Sequence, residues 1–230
     1  MKDILSNSMF FGVLVSILAY EVGVLLKKKL KFALLNPLLI SIVIIILILV
    51  GFHIDYDTYN DGAQLLSYLL TPATVCLAIP LYEQMELLKK NWKAIIGGIV
   101  AGVLTGAVCI LVLCLIFRLE HDMYVTLLPK SITTAIGMGV SEELNGIVTI
   151  TVAVIIITGV VGNVLADFVY KLFHVTHPVA KGVGLGTSAH AIGTSKALEL
   201  GEVEGAMSSL SIAVAGLMTV IGATIFYQLY

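Results

Sequence analysis

The run Pro129-Lys130-Ser131-Ile132-Thr133-Thr134 sets one ammonium and three hydroxyls in an otherwise apolar stretch. Proline opens helices well, and the N–H groups at a helix start face whatever lies beyond it, so this set can converge on one anion. A carboxylate is the obvious ligand. The plainer reading has Lys130 reaching to the membrane interface and Ser131, Thr133 and Thr134 satisfying their own backbone. A second run, Gly184-Leu185-Gly186-Thr187-Ser188-Ala189-His190-Ala191-Ile192-Gly193-Thr194-Ser195, contributes Ser188, His190, Thr194 and Ser195 as candidate ligands, with Gly186 and Gly193 as helix breaks. Its glycines do not make a nucleotide loop, because no Gly-Lys-Ser/Thr follows and no soluble strand precedes. His190 is either a packed helix-contact residue or a group titrating near neutral pH, and Glu199 joins it as a candidate for proton coupling. The third run holds Thr71, Pro72 and Thr74 with Pro80 downstream; Pro72 and Pro80 each delete a backbone hydrogen bond, which either exposes carbonyls to a cation or water or merely kinks a structural helix, and Pro129 is a further expected break. The chain has no Ser-His-Asp order and no metal-spaced His/Cys cluster. Enzyme activity, a metal and a cofactor are therefore not expected.

The elements that must position these residues are membrane helices. The 230 residues are 59% hydrophobic and 12% charged, with mean hydropathy +1.04, whereas soluble chains sit near a quarter charged. Net charge −2 removes any global basic signal for nucleic acid. Eight hydrophobic segments are expected at 9–26, 32–52, 63–82, 94–117, 124–140, 147–170, 183–200 and 209–230. The first reads as a span and not a removable signal, since Glu21 and lysines follow it without a cleavage site. The second, fourth, sixth and eighth read as scaffold. The third, fifth and seventh are interrupted by Pro, Gly, Ser and Thr, and broken backbone survives in a membrane only where it lines an enclosed cavity. Segments three and seven are thus expected to unwind near the midplane and face each other. Cys76, Cys109 and Cys114 read as buried small apolar residues.

Loop charges orient the chain. Lys27, Lys28, Lys29 and Lys31, like Lys89, Lys90 and Lys93, belong in the cytoplasm by the positive-inside rule. If every segment crossed, Lys171 and Lys181 would fall outside, so the second half fits the rule better upside down. A shift of 116 residues also matches Leu69 with Leu185, Thr71 with Thr187, and Gly106-Ala107 with Gly222-Ala223. Two repeat halves are expected, 1–117 and 118–230 of one membrane domain, inverted in preference to parallel. Inversion needs one re-entrant segment, and 124–140 is the candidate.

The runs "LPKSITTAIGM", "KGVGLGTSAHAIGTSKALE" and "LLTPATVCLAIPLY" resemble the LrgB/CidB family of bacterial membrane proteins across essentially the whole chain, with Ala135 standing where that family usually has proline. The resemblance implies a cell-membrane protein linked to a holin-like LrgA/CidA partner and to control of murein hydrolases and autolysis. It also implies kinship with the plastidial glycolate/glycerate translocator and with bacterial pairs implicated in pyruvate uptake. Two functions follow as expectations. The first is a carrier for a small monocarboxylate of the pyruvate, lactate or glycolate class, with the anion held between the Lys130–Thr134 and Ser188–Ser195 breaks. The other is an antiholin-like regulatory subunit. The bilayer and the LrgA/CidA-like protein are expected partners, self-association is an open alternative, and nucleic acid is excluded.

Overall fold

A computed structural model describes residues 10–30, 37–76 and 78–230, which are helical and contain no strand. Met9, Lys31 and Asn36 lie outside the described residues, and of Thr71, Thr74 and Pro80 only the backbone is described. The chain divides into two compact units, 1–76 and 77–230.

In the first unit α1 (Phe11–Leu30), α2 (Pro37–Phe52) and α3 (Tyr56–Cys76) follow one another. A β-carbon on Gly12 would collide with the Tyr59 carbonyl, so glycine lets α1 and α3 touch backbone to backbone. The Ser16 and Tyr59 hydroxyls bond at 2.7 Å across the same contact. Lys27, Lys28 and Lys29 occupy the last turn of α1, where a helix end favours cations. The structure corrects one expectation here, because α3 runs helically through Pro72. The second unit opens with α4 (Ala78–Glu83), and Leu77 lies outside the described residues.

The second unit is built on three long apolar helices, α5 (Met85–Phe117), α8 (Val148–Leu172) and α10 (Glu202–Tyr227), each long enough to cross a bilayer. They carry exposed apolar side chains along their length, for example Leu104, Val112 and Ile116 on α5, Ile157 and Phe168 on α8, and Leu217 and Ile225 on α10. Lipid is the environment that covers such a surface. Between these helices stand α6 (His121–Leu127), α7 (Thr134–Glu143) and α9 (Pro178–Leu200).

Segment 124–140, the expected re-entrant segment, folds back on itself as a hairpin. α6 enters, the chain turns at 128–133, and α7 returns until Gly146 lies beside Thr126 and Ser141. The base of this hairpin is tied to the start of α8: the Thr126 hydroxyl accepts from the Ile147 N–H at 2.8 Å, and the Thr151 hydroxyl bonds the Thr126 carbonyl at 3.0 Å and the Ser141 hydroxyl at 2.7 Å.

Segment 183–200 is also a hairpin, which the sequence reading did not foresee. His190 has φ 43° and ψ −136°, and the chain reverses there. A β-carbon on Gly193 would lie 2.6 Å from the Leu185 carbonyl, eight residues earlier in the sequence. Both arms meet α10 at matching heights, Gly186 and Thr194 each reaching Ser208. Both run beside α8, with Ala166, Leu185 and Ala197 in one cluster. The base lies at the far end of α8, where Tyr170 donates to the Lys181 carbonyl at 2.7 Å. His190 is therefore the break, and Gly186 and Gly193 are not. Their missing side chains let backbones pack closely, a β-carbon on Gly186 colliding with the Ser208 carbonyl.

The two hairpins enter the second unit from opposite ends, each reaching about half the depth of a bilayer, since the ten residues of α7 rise ~15 Å. Their approaches repeat. α5 closes with Arg118 left-handed (φ 51°), Arg118 N–H on Leu115 and Leu119 N–H on Cys114; α8 closes with His174 left-handed (φ 54°), His174 N–H on Lys171 and Val175 N–H on Tyr170. Phe117-Arg118-Leu119 and Phe173-His174-Val175 are 56 positions apart, as are Ala135-Ile136-Gly137 and Ala191-Ile192-Gly193 after the turns. Helix plus hairpin is thus present twice, in opposite directions, at a shorter spacing than the 116-residue shift. Lys171 and Lys181 consequently share an end with Lys89, Lys90 and Lys93, because Ile95 and Ile99 of α5 pack on Val179 and Val183 of α9. Two of the cysteines also differ from expectation: Cys114 is buried, but Cys76 and Cys109 are exposed on apolar helix surfaces.

Candidate functional site

The hairpin turns meet in the middle of the second unit. Ile155 of α8 links them, its carbonyl accepting from His190 Nε2 at 2.9 Å while its side chain presses on Gly137 of α7. A carbonyl only accepts, so Nε2 carries the proton of this bond. Gly159 faces the same imidazole, and a β-carbon there would lie 2.8 Å from it.

The Lys130 ammonium donates to the Ser131 hydroxyl at 2.9 Å. Pro129 is fully buried beneath it. Thr133 is the extended residue before α7 and makes no side-chain cap, so the first N–H groups of α7 open toward the turn. The second arm of α9 likewise starts at the turn, just after His190. Two helix N-termini, each with positive character, thus start at the turns, and Lys130 stands in the first of them. The first arm of α9 ends in carbonyls at its turn, so the site offers donors for an anion and acceptors for a proton or cation.

Of the expected site residues, the structure gathers Lys130, Ser131, Thr133, Thr134, His190 and Thr194. Thr194 donates to the His190 carbonyl at 3.0 Å and bonds the Ser208 hydroxyl at 2.7 Å, tying the turn to α10. Ser188 and Ser195 are not gathered. Both are exposed and bond the carbonyls of Gly184 and Ile192 in their own arms. Glu199 lies nine residues beyond His190 on the second arm, ~13 Å along the helix toward the lysine end. On that arm Lys196 pairs with Asp167 of α8 at 2.9 Å, fixing the returning helix.

Thr187 was missed. It is buried next to a cavity of about 250 Å³ shared with Ser131, and its hydroxyl has no hydrogen-bond partner among the described residues. Aligning the two Ala-Ile-Gly runs at 56 residues pairs Thr187 with Ser131, which was the available signal.

A family model described as the LrgB-like family matches residues 16–229. The antiholin-like protein LrgB of Bacillus mycoides (strain KBAB4) is 38% identical over 94% of this chain and 95% of its own length. The proteins of that name from Bacillus cereus (strain B4264) and Bacillus anthracis (strain CDC 684 / NRRL 3495) match at the same identity and coverage. No solved structure matches.

Proposed function

Because the chain belongs to the LrgB-like family, we propose that it acts as an antiholin-like component of the bacterial cytoplasmic membrane, working with a holin-like membrane partner. The relatives' shared name over nearly the whole chain carries this reading. Its test is co-expression. A holin-like subunit from the same cell should co-purify in mild detergent and cause less lysis when this chain is present; lysis unaffected by the chain rejects the reading.

A second reading is favoured by one observation, the meeting of two opposed hairpins. A subunit that merely restrained a partner needs no broken helices in its own interior, where each freed backbone group costs energy. A carrier needs them, because a dehydrated carboxylate must find donors already in place. In this reading a small monocarboxylate of the pyruvate, lactate or glycolate class sits between the turns, held by the ammonium of Lys130, the Ser131 hydroxyl and the N-terminus of α7. His190 then serves as ligand or proton relay. Reconstitution distinguishes the two. Saturable uptake of labelled pyruvate or glycolate into liposomes, abolished by Lys130→Met and partly kept by Lys130→Arg, supports the carrier. Absence of uptake with or without the holin-like partner excludes it. The expected loss for Lys130→Met is at least tenfold, since a charge-assisted contact is removed while the apolar substitute inserts readily.

A further inference from the structure

The cavity beside Ser131 and Thr187 is lined by α5, the first hairpin turn, α9 and α10, and opens past the exposed side chains of Leu104 and Ile221. Ile110, Leu128, Met218 and Phe226 make most of its wall apolar. Thr187 is 6% exposed, yet its Oγ1 bonds to nothing among the described residues. A helical threonine ordinarily satisfies itself on the carbonyl one turn back, as Ser209 and Ser211 do on α10. An orphan hydroxyl at this depth is costly, and a bound acceptor would remove the cost.

The glycines around the cavity are of two sorts. Gly102 is pressed against Thr187, whose Cγ2 would lie 2.5 Å from an added β-carbon. Gly106, one turn further along α5, and Gly222 on α10 both line the cavity, and a β-carbon on either would meet nothing within 4 Å. Packing does not require glycine there. Its effect is to keep volume empty.

We infer that this cavity binds a monocarboxylate with an apolar tail. The carboxylate accepts from the Thr187 and Ser131 hydroxyls with the Lys130 ammonium behind Ser131, and the tail lies past Gly106 and Gly222 against Met218 and Phe226. A dry cavity of about 150 Å³ takes benzene, so the present one admits roughly ten non-hydrogen atoms, a straight-chain acid of about six to eight carbons. Dicarboxylates are poorer ligands, because their second carboxylate would meet the apolar wall unpaired. The inference deepens the carboxylate reading of the hairpin turns and rests on it.

Equilibrium dialysis of the protein in nanodiscs against labelled acetate, butyrate, hexanoate, octanoate and decanoate tests it, with empty nanodiscs subtracted. Affinity should rise about fourfold per added methylene up to six to eight carbons and then level off. Thr187→Val, which keeps the side chain's shape, should weaken hexanoate about tenfold and leave 1-hexanol unchanged. Gly106→Leu should remove the dependence on chain length. Equal binding of acetate and hexanoate overturns the inference. So does affinity that keeps climbing through decanoate and ignores Thr187→Val, which would mark a groove for lipid chains. If pyruvate is taken up saturably while hexanoate neither binds nor competes, the carrier reading stands and this one falls.

Discussion

At the residue scale the decisive group is His190, whose backbone conformation a side chain rarely adopts and glycine adopts freely. The bond from Nε2 to the Ile155 carbonyl and the contact with Gly159 hold it there. Removing the imidazole should therefore cost stability in two separable ways. His190→Ala loses the bond and keeps the strained φ, whereas His190→Gly loses the bond and relieves the strain. Thermal unfolding in detergent should find His190→Gly about 1 kcal/mol more stable than His190→Ala; the reverse order would mean that the turn imposes no strain. The sequence revealed His190 as a functional candidate through its ionisable ring in an apolar run. It concealed the role of His190 as the hinge, because the flanking glycines are the residues expected to break a helix.

At the element scale, α9 is held by close backbone contact rather than by large side chains. Gly182 and Gly186 abut α10 at Glu204 and Ser208, while Gly162 abuts Ala189 from α8. Small residues give such contacts where lipid provides no hydrophobic drive between helices. Gly186→Ala should therefore push α9 from α10 and cost about 1–3 kcal/mol. Gly97→Ala on α5, where an added β-carbon meets nothing, should instead stabilise by about 0.5–1 kcal/mol through helix propensity. A denaturation series on both variants checks the contrast, and equal effects would show that the packing at Gly186 yields easily. Interrupted helices were legible as a composition of Pro, Gly, Ser and Thr. Their geometry was not, since a segment that turns back at mid-depth and one that kinks while crossing have the same hydropathy. Pro72 shows the converse: a proline read as a break is carried inside α3.

For the whole molecule, recognising both hairpins resolves the charge pattern. Lys89, Lys90, Lys93, Lys171 and Lys181 gather at one end of the second unit, and Glu120, Asp122, Glu142 and Glu143 at the other, in keeping with the positive-inside rule. In a variant lacking Cys76, Cys109 and Cys114, cysteines placed at Lys89 and Lys181 should react with an impermeant reagent from the cytoplasmic side only, and one at Glu143 from the other side only. Labelling of Lys89→Cys and Lys181→Cys from opposite sides would refute the second hairpin. That hairpin also bears on how the chain is made. Within the second unit, α5, α8 and α10 have the length and apolarity to cross lipid, and α9 does not. When the ribosome has completed α9, the helix that covers Gly182 and Gly186 has not yet been synthesised. The contacts of Gly182 and Gly186 with α10 can therefore form only once α10 has been made, which places the docking of the second turn late in assembly.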